Sequence, residues 1–147
     1  MREIRGNLWD FKRDNALAVT TNGTVRRDGW AVMGRGCARE AADRYPGLQE
    51  VLGREIEEKG NHVFEFFMLD GLTLFTFPVK HRWHEPADLD LIERSARELV
   101  EIFDGRDRGM HSCVLPRPGC GNGMLEWEFV KPRIEGILDD RFSVITW

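Results

Sequence analysis

Leu115-Pro116-Arg117-Pro118-Gly119-Cys120-Gly121-Asn122-Gly123 is the most informative stretch of this 147-residue chain. It leaves an apolar run, Ser112–Leu115, that reads as a buried strand, and a helical pattern follows it from about Trp127. Glycine at 119, 121 and 123 lets the main chain turn tightly and approach a ligand with no Cβ in the way. Successive N–H groups in such a turn make a concavity for an anion, and the dipole of a following helix reinforces it. The same residues would serve equally as a strand-to-helix turn that holds nothing.

Working outward, a second loop, Val32-Met33-Gly34-Arg35-Gly36, is expected after an early strand and just before a helix. Alone it is a weak signal. Two such loops at one edge of one sheet can grip both sides of a diphosphate, so the pair says more than either member. Neither loop has the Lys-Ser/Thr that ends a P-loop, and neither fits GxGxxG with an acidic residue about 20 positions on. Nucleoside triphosphate hydrolysis and dinucleotide redox chemistry are therefore demoted.

The rest of the chain alternates strand-like and helical patterns. Residues 16–21 form an apolar run that stops at the turn pair Asn22-Gly23. Residues 37–45 and 48–56 repeat apolar residues at helical spacing, with Pro46-Gly47 and Gly60 as stops. Val63–Leu69 and Leu72–Pro78 are aromatic-rich strands joined at Asp70-Gly71, a hairpin signal. The span 87–103 carries the clearest buried helical stripe, a helix is expected over 127–138, and a strand over 142–146 closes the order. The alternation predicts an α/β fold with helices on both faces of a mixed, largely parallel sheet. Ligands of such sheets sit beyond the carboxyl ends of the strands.

Bulk properties narrow the function. A net charge of −4 argues against broad nucleic-acid binding, because phosphate neutralisation needs surplus Lys and Arg. Cys37, Cys113 and Cys120 are odd in number and widely spaced, which suits neither a disulfide framework nor a structural zinc site, and no cluster has metal-ligand spacing. The charged N-terminus shows no signal-peptide pattern and no apolar run approaches membrane length, so a cytoplasmic protein with no membrane partner is expected.

Taken together, Gly6-Asn7-Leu8, Val19-Thr20-Thr21-Asn22-Gly23, Ala31–Ala38, Leu115–Gly123 and Leu125–Pro132 resemble the macrodomain family over nearly the whole chain. Phe77-Pro78-Val79-Lys80-His81-Arg82-Trp83 is similar to a segment of one subgroup. That subgroup holds the terminal ADP-ribose protein glycohydrolase and the antitoxin macrodomains that strip ADP-ribose from DNA bases. The resemblance implies one macrodomain over residues 1–147, a three-layer α/β/α fold and ADP-ribose binding without a cofactor. It implies Gly34, Arg35 and Gly36, with Val32 and Met33, along the diphosphate and distal ribose. Thr21 and Asn22 would sit near that ribose, Asn7 and Leu8 near the adenine, and Pro118, Gly119, Cys120, Gly121, Asn122 and Gly123 across the phosphates. It also implies that Lys80 acts at the anomeric carbon of the distal ribose.

Two departures qualify the resemblance. Asn7 stands where many macrodomains have an Asp that accepts from the adenine amino group, and an Asn carbonyl accepts without charge assistance. Gly123 stands where the protein glycohydrolase has an Asp that completes the reaction, which looks more like the DNA-directed antitoxins. Val25–Trp30 lengthens the first loop beyond the usual pattern.

A neutral lysine is a capable nucleophile towards an acetal-like carbon, and a cationic one stabilises charge on a leaving group. Without the resemblance, Lys80-His81-Arg82 would read as a solvated strand end. Trp30 and Trp83 fit stacking on a base, a cover for the pocket, or ordinary packing. Trp127 and Phe129 are expected to anchor the last helix, and Asp88, Asp90, Glu93, Glu98 and Glu101 to form a solvated face. The expected activity is an ADP-ribosyl glycohydrolase acting on a protein, DNA or RNA substrate. A non-catalytic reader of ADP-ribosyl marks, or a hydrolase of O-acetyl-ADP-ribose or ADP-ribose 1″-phosphate, stands as the alternative.

Overall fold

The computed structural model describes residues 1–106 and 111–147. Among them, strands β1 (Arg2–Arg5), β2 (Ala16–Asn22), β3 (Glu65–Phe67), β4 (Thr73–Lys80), β5 (Cys113–Pro116) and β6 (Phe142–Thr146) form one sheet. Its order is β1-β6-β5-β2-β4-β3. Neighbours run parallel except β3 and β4, which are antiparallel. The expected mixed, largely parallel sheet is thus what forms.

Helices α1 (Gly36–Arg44) and α2 (Leu48–Lys59) cover one face, and α3 (Leu89–Asp104) and α4 (Trp127–Ile134) cover the other. β2 shows why the layers number three. Ala16 and Ala18 point into the core under α3 and α4, while Leu17 and Val19 point into the core under α1 and α2. A strand buried on both faces must be apolar at every position, which is why residues 16–19 read as a continuous run rather than an alternation. Leu74 and Phe75 divide between the two cores in the same way.

Helix α3 is built as its pattern predicts. The Asp88 side chain caps it by accepting from Asp90 N at 2.9 Å, and Leu91, Ile92, Ala96, Leu99 and Phe103 are buried. Each of its large apolar residues contributes on the order of 1.5–3 kcal/mol by leaving water.

Three boundaries differ from the sequence reading. β3 spans three residues rather than seven, because the chain turns early, with Met68 N donating to Leu72 O at 2.8 Å. α4 ends at Ile134 rather than 138; irregular turns then carry Leu138 into the core. β1, unforeseen, is a four-residue edge strand whose sequence Arg-Glu-Ile-Arg offers one apolar side chain.

The segment 25–30 folds as a tight excursion closed by a Val25–Ala31 bridge and by Arg26 N donating to Trp30 O at 2.8 Å. The Val32–Gly36 loop follows the early strand β2 as expected, but this excursion stands between them. It docks on α2 at Gly53, where an added Cβ would lie 1.9 Å from Gly29 O. Ala31 and Gln49 lock the junction, with Ala31 N donating to Gln49 O at 2.9 Å and Gln49 Nε2 donating to Ala31 O at 3.1 Å.

The chain leaving β2 crosses the α1/α2 face towards β4, whereas the chain leaving β5 crosses the α4 face towards β6. The two connections diverge, so a crevice opens beyond the carboxyl ends of β2 and β5. This is the switch point at which open α/β sheets hold ligands.

Candidate functional site

Both glycine loops border that crevice. In chain order, the first, Val32–Gly36, enters α1 at Gly36, and the second, Pro118–Gly123, follows β5 directly. They come close: a Cβ placed on Gly36 would stand 3.2 Å from Asn122 Nδ2. Gly119 holds φ at +80°, and a Cβ there would lie 2.6 Å from Ile92 Cδ1, so only glycine passes at that point.

Lys80 ends β4 and pairs with Asn22, the last residue of β2, across a register shift between Thr21 and Asn22. Such a bulge re-aims the side chains at a strand end. The Asn22 amide is engaged at both atoms. Nδ2 donates to Val32 O at 3.0 Å and Oδ1 accepts from Thr24 N at 2.9 Å, so Asn22 braces the first loop against β2. The Lys80 amine donates to Trp83 O at 3.4 Å.

The segment 81–88 ties β4 to the second loop. Ala87 N donates to Gly123 O at 3.0 Å, and Asp88 N donates to Val79 O at 2.9 Å. His81 Nε2 meets Asp88 Oδ2 at 2.7 Å, and the imidazole beside it holds the Asp88 carboxyl below its ordinary range. Trp83 N donates to Thr24 Oγ1 at 3.0 Å, closing the circuit back to the first loop. Strand end, first loop, second loop and 81–88 segment thus form a closed ring of contacts around the crevice.

The named site residues divide by exposure. Gly34, Arg35, Gly36, Gly121 and Asn122 are exposed, and Val32, Cys120, Asn22 and Lys80 are half-buried. Leu8, Thr21, Met33, Pro118, Gly119 and Gly123 are buried. The Met33 side chain belongs to the α1/α2 core, so only its main chain is left to face the crevice. Asn7 caps the 3-10 turn Leu8–Phe11, its Oδ1 accepting from Trp9 N at 3.0 Å.

The cysteine thiols near the loops are not nucleophiles. Burial pushes Cys37 up, and Cys120 as well, outweighing the opposite pull of Arg117, so both stay protonated at neutral pH. Gly123 is closely packed: a Cβ there would stand 3.0 Å from Ala87 Cβ, so a side chain at this position would push Ala87 aside.

Concavities of about 530 Å³ and 350 Å³ lie beside the crevice. The first is lined by His81, Glu85, Ala87, Asp88 and Leu125, and the second by Arg26, Met33, Gly34 and Arg39. Neither draws on both loops. The meeting point of the loops, where strand ends and turn amides converge, is the stronger candidate site.

Some residues behave otherwise than expected. Phe129 is 61% exposed and anchors nothing, whereas Trp127 packs against the core and donates from Nε1 to Glu3 Oε1 at 2.9 Å. The acidic face of α3 is paired, not merely solvated: Glu93 and Asp90 hold Arg133, and Glu98 holds His62 and the Val63 amide. Thr24, Asn61 and Ala87 were missed; Asn61 Nδ2 donates to Lys80 O at 3.0 Å and so steadies the strand end. Their residue types give no signal, because only the tertiary contact makes them part of the site.

Among the described residues no helix is long and apolar enough to cross a membrane. No family model matches the chain. The DNA ADP-ribosyl glycohydrolase of Thermus aquaticus is 32% identical over 154 residues, an alignment that takes in all of this chain and 40% of that protein. The chain therefore spans about two fifths of the length of that relative. The structure superposes on the macrodomain of Thermus aquaticus DarG with a TM-score of 0.80 at 27% identity, covering 99% of this chain and 96% of that one. It superposes on Thermosipho africanus DarTG in complex with ADP-ribose with a TM-score of 0.77 at 25% identity, covering 95% of this chain and 39% of that one. The chain has the three-layer macrodomain fold, and among macrodomains it resembles those of the DarG proteins.

Proposed function

We propose that this macrodomain, acting as one unit over its 147 residues, binds ADP-ribose in the crevice and releases it from a modified DNA base. The observation that carries the reading is the close approach of the two glycine loops at Gly36 and Asn122, at the carboxyl edge of the sheet where β4 ends in Lys80. Main-chain amides of residues 33–36 and 119–123 would face the pyrophosphate from two sides, as anion-binding turns do. The names of the relatives support the substrate class, and the ADP-ribose complex of the Thermosipho protein supports the ligand.

Lys80 acts at the anomeric carbon of the distal ribose. Its amine forms the new C–N bond as the glycosidic bond breaks, and the base departs with the electron pair and takes up a proton. Water then hydrolyses the lysine adduct. With glycine and so no carboxylate at position 123, the crevice relies on Lys80 alone among the residues carried over from the resemblance. Asn7 contributes less than an aspartate would to adenine recognition, since its carbonyl oxygen accepts without charge assistance.

The test is a parallel panel of ADP-ribosylated DNA, ADP-ribosylated protein and O-acetyl-ADP-ribose with wild type and Lys80→Ala. Release from DNA is expected to fall at least 100-fold in the variant, with ADP-ribose affinity within a few-fold by calorimetry. Tight binding with no release from any substrate would make the chain a reader, the outcome that the bare Gly123 favours. Lost binding in Lys80→Ala would make the lysine a ligand contact instead.

A further inference from the structure

We infer that Trp83 is the platform on which the departing nucleobase stacks, and that it sets the preference for base-linked over other ADP-ribose. The inference rests on the proposed function and assigns a residue to the leaving-group side of the same site.

Trp83 is placed by its main chain. Its carbonyl accepts from the Lys80 amine at 3.4 Å, and its N–H donates to Thr24 Oγ1 at 3.0 Å. The residue is therefore pinned between the end of β4 and the turn leaving β2, next to the group that acts at the anomeric carbon. Whatever is attached to that carbon leaves from within a side chain's reach of the Trp83 main chain.

The indole itself is 56% exposed. Its one aromatic neighbour among the described residues is His84, which approaches edge-on with ring centroids 5.5 Å apart and planes at 72°. Such a T-shaped contact occupies at most one face of the indole and leaves the other open. Trp30 makes the contrast: it is 37% exposed, and the Arg26 guanidinium lies 5.2 Å from its centroid, so one face is already covered.

A nucleobase has a flat π-face and an acyl ester or phosphate does not. Base–aromatic stacking is sequence-tolerant, because every base presents such a face. An unpartnered indole beside the scissile bond therefore selects for an aromatic leaving group without reading which base it is. Exposed Arg82, the preceding residue, suits an adjoining phosphate.

The test compares dissociation constants for ADP-ribose and for an oligonucleotide ADP-ribosylated on a base, measured by calorimetry. Trp83→Ala and Trp83→Phe are each made in the wild-type chain for ADP-ribose, and in Lys80→Ala for the oligonucleotide so that it is not consumed. Trp83→Ala is expected to weaken the oligonucleotide by roughly 5- to 150-fold, the range of one stacked base, and ADP-ribose by less than two-fold. Trp83→Phe is expected to recover most of the loss. Retained ADP-ribose affinity also shows that the variants fold. If both ligands weaken together, or neither does, the platform is wrong. A wild-type chain that prefers the oligonucleotide through Trp83 yet releases nothing from DNA would remove the glycohydrolase reading and keep the platform.

Discussion

Met124 holds φ at 67° and ψ at 10°, the one non-glycine residue at positive φ among those described. It closes the second glycine loop, its N–H donating to Gly121 O at 2.9 Å, and its side chain is 79% exposed. An L residue in the left-handed region loses about 1 kcal/mol or more to the clash of Cβ with the carbonyl. An exposed side chain has little burial to offset that. Met124→Gly relieves about 1–2 kcal/mol of that clash against about 0.5–1 kcal/mol of added chain entropy, so the unfolding free energy in urea titration is expected to rise by roughly 0.5–1 kcal/mol. A decrease would mean that the side chain has a partner the loop depends on. At this scale the sequence was readable where residue type carries the chemistry: glycine for a close turn, lysine for an amine. Thr24, Asn61 and Ala87 were silent because a hydroxyl, an amide or a methyl becomes a site residue only through what the fold sets against it.

The elements were legible in proportion to how completely they are buried. α3, with Ile92, Ala96 and Leu99 fully buried, was expected over nearly its true extent, while the edge strands β1 and β3 were missed or overdrawn. An edge strand buries one face at most, so its pattern is weak. The excursion 25–30 had no reading from sequence, and its reason lies across the molecule at Gly53. Alanine there would gain about 1 kcal/mol of helix propensity within α2. It would also drive a methyl into Gly29 O, a backbone atom that cannot swing aside, and overpacking of this kind costs about 2–3 kcal/mol or more. The clash wins. Gly53→Ala is expected to lower stability by about 2 kcal/mol net. Because Ala31 hangs from Gln49 just before the first glycine loop, the same variant should also weaken ADP-ribose binding in calorimetry. Unchanged stability would show that the excursion moves freely away from α2.

Across the whole molecule, cationic side chains tie the α3/α4 layer to itself and to the sheet. Arg133 of α4 reaches Glu93 of α3 at 2.8 Å, Arg141 at the start of β6 reaches Asp139 and Asp104 at 2.7 Å, and Lys131 of α4 reaches Glu3 of β1 at 2.6 Å. These partners hold Glu93, Asp139 and Glu3 below the ordinary carboxylate range: Arg133 for Glu93, Arg141 for Asp139, and Lys131 with Trp127 for Glu3. The residue types were visible in the sequence, but their pairing was not, since partners such as Glu93 and Arg133 stand far apart in the chain and meet only when α4 packs on α3. A carboxyl whose folded value lies below its unfolded one binds fewer protons folded than unfolded. Its stabilisation is complete above the unfolded value and disappears as pH falls through the folded one. The cations keep their charge throughout, so the carboxylates alone set the window. The urea midpoint should be flat above about pH 6 and fall between about pH 5 and 3. Each pair is partly exposed and individually weak, so the slope is a sum over several small contributions. Arg141→Met should make that slope shallower by removing the partner of Asp139 while leaving the Glu93 and Glu3 pairs intact. An identical slope in the variant would place the acid sensitivity outside the Arg141 pairs, and that tie between β6 and α3 would then be geometry without energetic weight.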